Sequence, residues 1–129
     1  VKIGDEIYEN LDMRTIEDEI MEKQNPQATL ALKVYCYRIR KYIGAYFAAM
    51  NGLDVLIFTG GVGERMPIMR EQVCSDLEAL GIKLNQTENA VFSDEIQNIG
   101  AKDSKVTVLK IPTNEELMIA METQRILNQ

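Results

Sequence analysis

Asp54-Val55-Leu56-Ile57-Phe58-Thr59 is an apolar run of strand length with no polar alternation, and Gly60-Gly61-Val62-Gly63 follows it without a gap. Such a run predicts a central strand covered on both faces. The glycines predict a tight turn out of it. Met66 to Leu80 then reads as a helix, with Pro67 near its start, Gly81 as its stop, and an apolar stripe of Met69, Val73, Leu77 and Leu80. A buried strand feeding a helix implies an α/β layered domain.

The flanking segments supply the other layers. Arg14 to about Lys23 reads as a short helix. Asn25-Pro26 gives an N-cap followed by proline at the first helical position. The helix it opens runs to Met50, ended by Asn51-Gly52, with Leu32, Cys36, Ile39, Ile43, Phe47 and Met50 on one face. Tyr35, Tyr37, Tyr42 and Tyr46 lie on the same helix and read as packing residues. Beyond Gly81, Ile82-Lys83-Leu84 and Ala90-Val91-Phe92 are candidate short strands, and residues 98–104 a turn. Lys105 to Ile111 alternates with period two, as a strand does. Thr113-Asn114-Glu115-Glu116 has the form of a capping box, with Thr113 as cap, opening a helix that runs almost to the end. The first dozen residues show neither pattern.

Composition removes several function classes. Fourteen Lys and Arg against 20 Asp and Glu give a net charge of −6, which disfavours nucleic-acid and anionic-membrane partners. There is no histidine, so Ser-His-Asp and Cys-His catalysis and imidazole-bound zinc are out. Cys36 and Cys74 form no motif and read as buried thiols in a reducing compartment, with the cytoplasm as the default location. No apolar run approaches the length of a membrane span.

Three constellations are left to carry chemistry. Phe58 to Glu64 places glycines at the carboxyl end of a strand, where open α/β sheets bind ligands and where a missing Cβ lets backbone amides approach a nucleotide. It has neither the Walker A lysine nor the third glycine of the dinucleotide fingerprint. Turn geometry alone accounts for the glycines equally well. Asp12-Met13-Arg14 is an acid and a base of the kind any surface carries. Glu115, beside the Glu116 that the capping box needs, is free to address a hydrated Mg²⁺ or simply to favour the helix start.

Taken together, Asp12-Met13-Arg14, Tyr37 to Tyr46, Phe58 to Glu64, Arg70-Glu71-Gln72-Val73-Cys74, Glu78 to Leu84 and Val108 to Ala120 resemble the C-terminal part of the acetate kinase family, in order and with its spacing. The resemblance covers nearly the whole chain from Asp12 onward. It implies a ribonuclease-H-like, actin-like ATPase domain of the acetate and sugar kinase, Hsp70 and actin superfamily, with a mixed sheet flanked by helices. Residues 1–129 would be its C-terminal, nucleotide-binding half-domain, the upstream catalytic domain being absent. The activity implied is ATP plus acetate to acetyl phosphate plus ADP with Mg²⁺, in a homodimer. Gly60, Gly61, Val62, Gly63 and Glu64 would bind the adenosine from one side and Asp12, Met13 and Arg14 from the other. Glu115 would be the magnesium-linked carboxylate.

Two positions depart from the family pattern. Arg65 stands where the family usually has Asn, and Tyr8-Glu9-Asn10-Leu11 replace a Ser- and Gly-rich approach to Asp12. The family's catalytic histidine, aspartate and acid-binding arginines fall outside this chain, so the expectation is a portion inactive alone. The competing readings are a non-catalytic nucleotide-binding or dimerisation module, and a kinase for another short-chain carboxylate such as propionate or butyrate.

Overall fold

A computed structural model describes residues 2–3, 6–7 and 12–128, with side chains from residue 12 onward. Its elements are β1 (Lys2–Ile3), β2 (Glu6–Ile7), α1 (Met13–Met21), α2 (Pro26–Met50), β3 (Val55–Phe58), α3 (Gly60–Arg65), α4 (Pro67–Cys74), a 3-10 turn (Glu78–Leu80), α5 (Gln86–Ala90), β4 (Gln97–Asn98), β5 (Thr107–Lys110) and α6 (Glu115–Leu127). The β1 and β2 strands pair antiparallel in a segment whose sequence shows no strand pattern. Tyr8 to Leu11 lie outside the described residues.

The helix starts follow capping chemistry. The Asp12 carboxylate accepts the Arg14 N–H at 3.0 Å and opens α1. Asn25 accepts from the Gln27 and Ala28 N–H groups, with Pro26 at the first helical position. The α2 helix closes on Asn51 in the left-handed region. Its core-facing side is Leu32 and Cys36, both buried, with Ile39 and Ile43 partly so. The expectation for the tyrosines is corrected: Tyr35, Tyr37, Tyr42 and Tyr46 are exposed, as is Met50.

The sheet is mixed, in the order β3-β5-β4. The β3 and β5 strands run parallel with Val55 opposite Thr107 and Phe58 opposite Lys110, and β4 is antiparallel to β5. Leu56, Phe58, Val106 and Val108 join Leu32, Cys36, Met69, Val73 and Ile99 in one core. The apolar run of β3 misleads on its setting. It is an edge strand of this sheet, and Val55 and Ile57 are 41% and 50% exposed, so one face only is covered by the described elements.

The expected helix from Met66 to Leu80 is two pieces, α4 and the 3-10 turn. The glycine segment is itself helical as α3, Met66 breaks it from α4, and α4 ends at Cys74. Ser75 is extended and Asp76 has a φ of +59°, yet Met69, Val73 and Leu77 of the predicted stripe are all buried. Gly81 stops the 3-10 turn with a φ of +83°. Residues 82–84 give only an isolated bridge from Leu84 to Gly100, and Ala90 ends a helix instead of starting a strand. The α6 cap is Asn114, whose side chain accepts the Leu117 N–H; Thr113 is engaged elsewhere.

Candidate functional site

The end of β3 and the start of α1 converge on a cavity of about 330 Å³. Its walls are Asp12, Met13, Arg14 and Glu17 from one side, Gly61, Val62, Glu64, Arg65 and Met66 from the other, and Thr113 at the approach to α6. The two groups predicted from sequence are thus brought together across 46 intervening residues. Gly60 and Gly63 belong to the turn but do not line the cavity. Glu115 is exposed in the first turn of α6, two residues past Thr113, and does not line it either.

The glycines divide by role. Gly60 takes a φ of +73°, a conformation that disfavours side chains. A Cβ on Gly63 would come within 3.2 Å of the Phe58 carbonyl carbon, so the close approach of α3 to β3 needs glycine there. Gly61 meets neither requirement. Its φ is ordinary, and a Cβ would find nothing within 4 Å in the protein. What its missing side chain leaves open is the cavity.

A buried arginine holds the turn. Arg70 is 1% exposed. Its Nη1 donates to the Gly63 and Glu64 carbonyls at 2.8 and 2.9 Å. Its Nε and Nη2 donate to the side chain and carbonyl of Asn89, both at 2.7 Å, and the Asn89 amide donates to the Pro67 carbonyl at 3.1 Å. The corner between α3 and α4 is therefore tied to α5. Burial pushes the Arg70 pKa down, a sign of the desolvation that this geometry must offset. Sequence reading did not assign Arg70 a role. Its signal was a charge next to Met69 and within one turn of Val73, both in the predicted apolar stripe. Lys110 carries the same signal, on the inward face of β5 with Val108 and in line with Val106 just before it; it is 1% exposed and donates to the Val91 carbonyl at 3.1 Å.

Charge at the cavity is mixed. Arg14 Nε donates to Asp12 Oδ2 at 2.7 Å, and that hydrogen bond holds the Asp12 pKa below its ordinary value. Glu17 is half-buried, and burial, helped by Asp18, pushes its pKa up. For Glu64 burial acts upward, but hydrogen bonds from Thr113 and the Gly60 amide prevail and the pKa falls. Three carboxylates thus face two guanidiniums, Arg14 and Arg65. A wall of that balance does not draw in a polyphosphate by charge; it offers acceptors to neutral hydroxyl and amine groups. Among the described residues no three His, Cys, Asp or Glu side chains gather as a metal site. Magnesium uses one or two carboxylates with waters and phosphates, and the exposed Glu115, with Glu116 next to it in the first turn of α6, would fit that mode. The buried thiols are inert here, with Cys36 pushed up to about 11 and Cys74 to about 12 by burial.

A parallel strand that ends in a glycine turn beside a ligand-sized cavity defines an open α/β binding domain. The chain belongs to the Acetokinase family, which matches residues 7–121. An acetate kinase of Dictyoglomus turgidum is 59% identical over 111 residues, 86% of this chain and 27% of that protein. The crystal structure of Porphyromonas gingivalis acetate kinase superposes with a TM-score of 0.77 at 51% identity, over 90% of this chain and 29% of that one. A propionate kinase from Francisella tularensis gives a TM-score of 0.73 at 36% identity, over 86% of this chain and 28% of that one. The chain therefore spans under a third of the length of each of these relatives, and its fold is theirs, a mixed sheet flanked by helices.

Proposed function

We propose that residues 1–129 form the nucleotide-binding part of an acetate kinase, which transfers the terminal phosphoryl of ATP to acetate with Mg²⁺. The observation that carries this reading is Gly61, a glycine that the fold does not require and that opens onto the cavity. The mixed charge of the walls suits the nucleoside end of ATP. In this reading Gly61 and Val62 let the adenine lie against backbone, and Asp12 and Glu17 accept hydrogen bonds from ribose or amine groups. The exposed Arg14 closes over the base from the α1 side, its guanidinium aimed by Asp12. Met13 and Met66 supply apolar wall. Phosphoryl transfer is chiefly positioning and charge neutralisation, and Mg²⁺ would supply the latter beyond the cavity, near Glu115.

Acetate is the acid in this reading because the curated relatives matched at 51–59% identity are acetate kinases. The cytoplasm and a homodimer go with the same reading. Apolar side chains on α6, among them Leu117, Ile119 and Met121, are exposed and offer surface for a second copy or for further chain.

The test is Gly61→Ala beside Gly63→Ala, read by urea unfolding and by calorimetric titration of ADP. Gly61→Ala should leave stability unchanged or raise it by up to about 1 kcal/mol, the helical preference of Ala over Gly, while ADP affinity falls at least about tenfold. Gly63→Ala should destabilise, because its Cβ meets the Phe58 backbone. ADP binding that is indifferent to Gly61→Ala would refute the assignment.

A further inference from the structure

The Glu64 side chain is committed inside the protein. Its Oε1 accepts both the backbone N–H and the Oγ1–H of Thr113, each at 2.8 Å. These bonds join the turn after β3 to the junction after β5. The strands themselves stay in register up to Phe58 and Lys110, and the Ile111 N–H still reaches the Phe58 carbonyl at 2.9 Å. Beyond Ile111 the chain passes Pro112, which has no N–H to give. Thr113 is the next residue able to tie the junction back, and Glu115 follows two residues later.

We infer that Glu64 is a positioning residue: its carboxylate latches Thr113 to the glycine turn and so fixes where Glu115 stands relative to a nucleotide in the cavity. The metal end of this inference rests on the nucleotide reading above; the latch itself does not. One carboxylate oxygen receiving two donors from one residue constrains both the backbone and the rotamer of Thr113, which a single bond would not do. The same bonds keep Glu64 ionised, so the latch is closed at neutral pH. Glu64 thereby lines the cavity and holds the adjoining segment at once.

Amide hydrogen exchange and calorimetric titration of ADP, with and without Mg²⁺, test this on the 129-residue chain. Glu64→Ala should speed exchange at Thr113 and in the first turn of α6 by about tenfold, the loss of one charge-assisted hydrogen bond. The amides of β3 and β5 should be unaffected. The tightening of ADP binding by Mg²⁺, read as the ratio of the affinities with and without the metal, should be lost, as it is in Glu115→Ala. Glu64→Gln keeps an acceptor oxygen and should restore most of the Thr113 protection and most of the metal effect. Unchanged Thr113 exchange in Glu64→Ala overturns the latch. A metal ratio retained in that variant, with Thr113 exchange quickened, overturns the coupling to Glu115. A parent chain with Thr113 protected but no ADP bound refutes the nucleotide reading and takes the metal coupling with it.

Discussion

Replacing Arg70 by Met removes four donor contacts and little volume. The acceptors left behind are the carbonyls of Gly63, Glu64 and Asn89 and the Asn89 side-chain oxygen. An orphaned buried acceptor costs about 1–3 kcal/mol. Two effects reduce the sum. The guanidinium no longer has to be desolvated, and Glu64 is half-exposed, so water reaches its carbonyl. A net loss of about 3 kcal/mol follows, at the lower end of what breaking a buried charged network costs. With a urea m-value of about 2 kcal/mol/M for a domain of this size, the unfolding midpoint should fall by about 1.5 M. Arg70→Lys should fall by roughly half as much, because one ammonium cannot reach acceptors spread around the edge of the guanidinium. Hydrogen exchange should quicken first in α3, whose Gly63 and Glu64 carbonyls Arg70 holds. A midpoint shift under about 0.3 M for Arg70→Met, or a Lys variant equal to the parent, would refute the argument that this side chain holds the turn.

Two further outcomes follow from titratable groups. Glu64 has a folded pKa below its ordinary value of 4.5, so its stabilisation is present above that value and is lost as pH falls through the folded one. The stability gap between the parent and Glu64→Gln, followed by urea unfolding from pH 6 down, should therefore hold above about pH 4.5 and narrow below it; a gap that widens on acidification contradicts the sign. With Cys36 pushed up to about 11 and Cys74 to about 12, thiolate at pH 8 is at most about one part in 10³. Both thiols should resist alkylation in the folded chain and react at once in denaturant, and rapid labelling of either in the folded state would show that its burial is wrong.

What could be read from the residues was local. The Asn25-Pro26 start and the Met50 end of α2 came from capping and a glycine stop, and β5 from its alternation. Two misreadings, the unbroken helix from Met66 to Leu80 and the Thr113 cap, share one cause, a tertiary contact stronger than the local pattern. The stripe Met69, Val73, Leu77 and Leu80 keeps helical period across a break in the backbone. That break sits where Arg40, from α2, donates to the Gln72 carbonyl at 2.6 Å and to Ser75 Oγ at 2.8 Å, occupying the acceptor that a continuing helix would give to Asp76. The burial pattern survives because packing needs the side chains on one side, not the helix that usually puts them there.

Thr113 shows the same logic at the site. Thr113-Asn114-Glu115-Glu116 satisfies the capping-box pattern, so a local reading assigns Thr113 to its own helix. In the fold its donors go to Glu64, 49 residues away, and Asn114 takes over the cap. A pattern counts what a residue is able to do within its own few neighbours; a distant carboxylate changes what it does. The meeting of Asp12-Met13-Arg14 with Gly61 to Glu64 is of this kind too. Nothing in their spacing predicts it, and only the resemblance to a whole family did. The charges set in apolar stripes, Arg70 and Lys110, were the one purely local sign of long-range structure. A buried cation has to be met by acceptors that the stripe itself does not contain, so each such position marks where another part of the chain must arrive, and at Arg70 what arrives is the glycine turn on one side and Asn89 on the other.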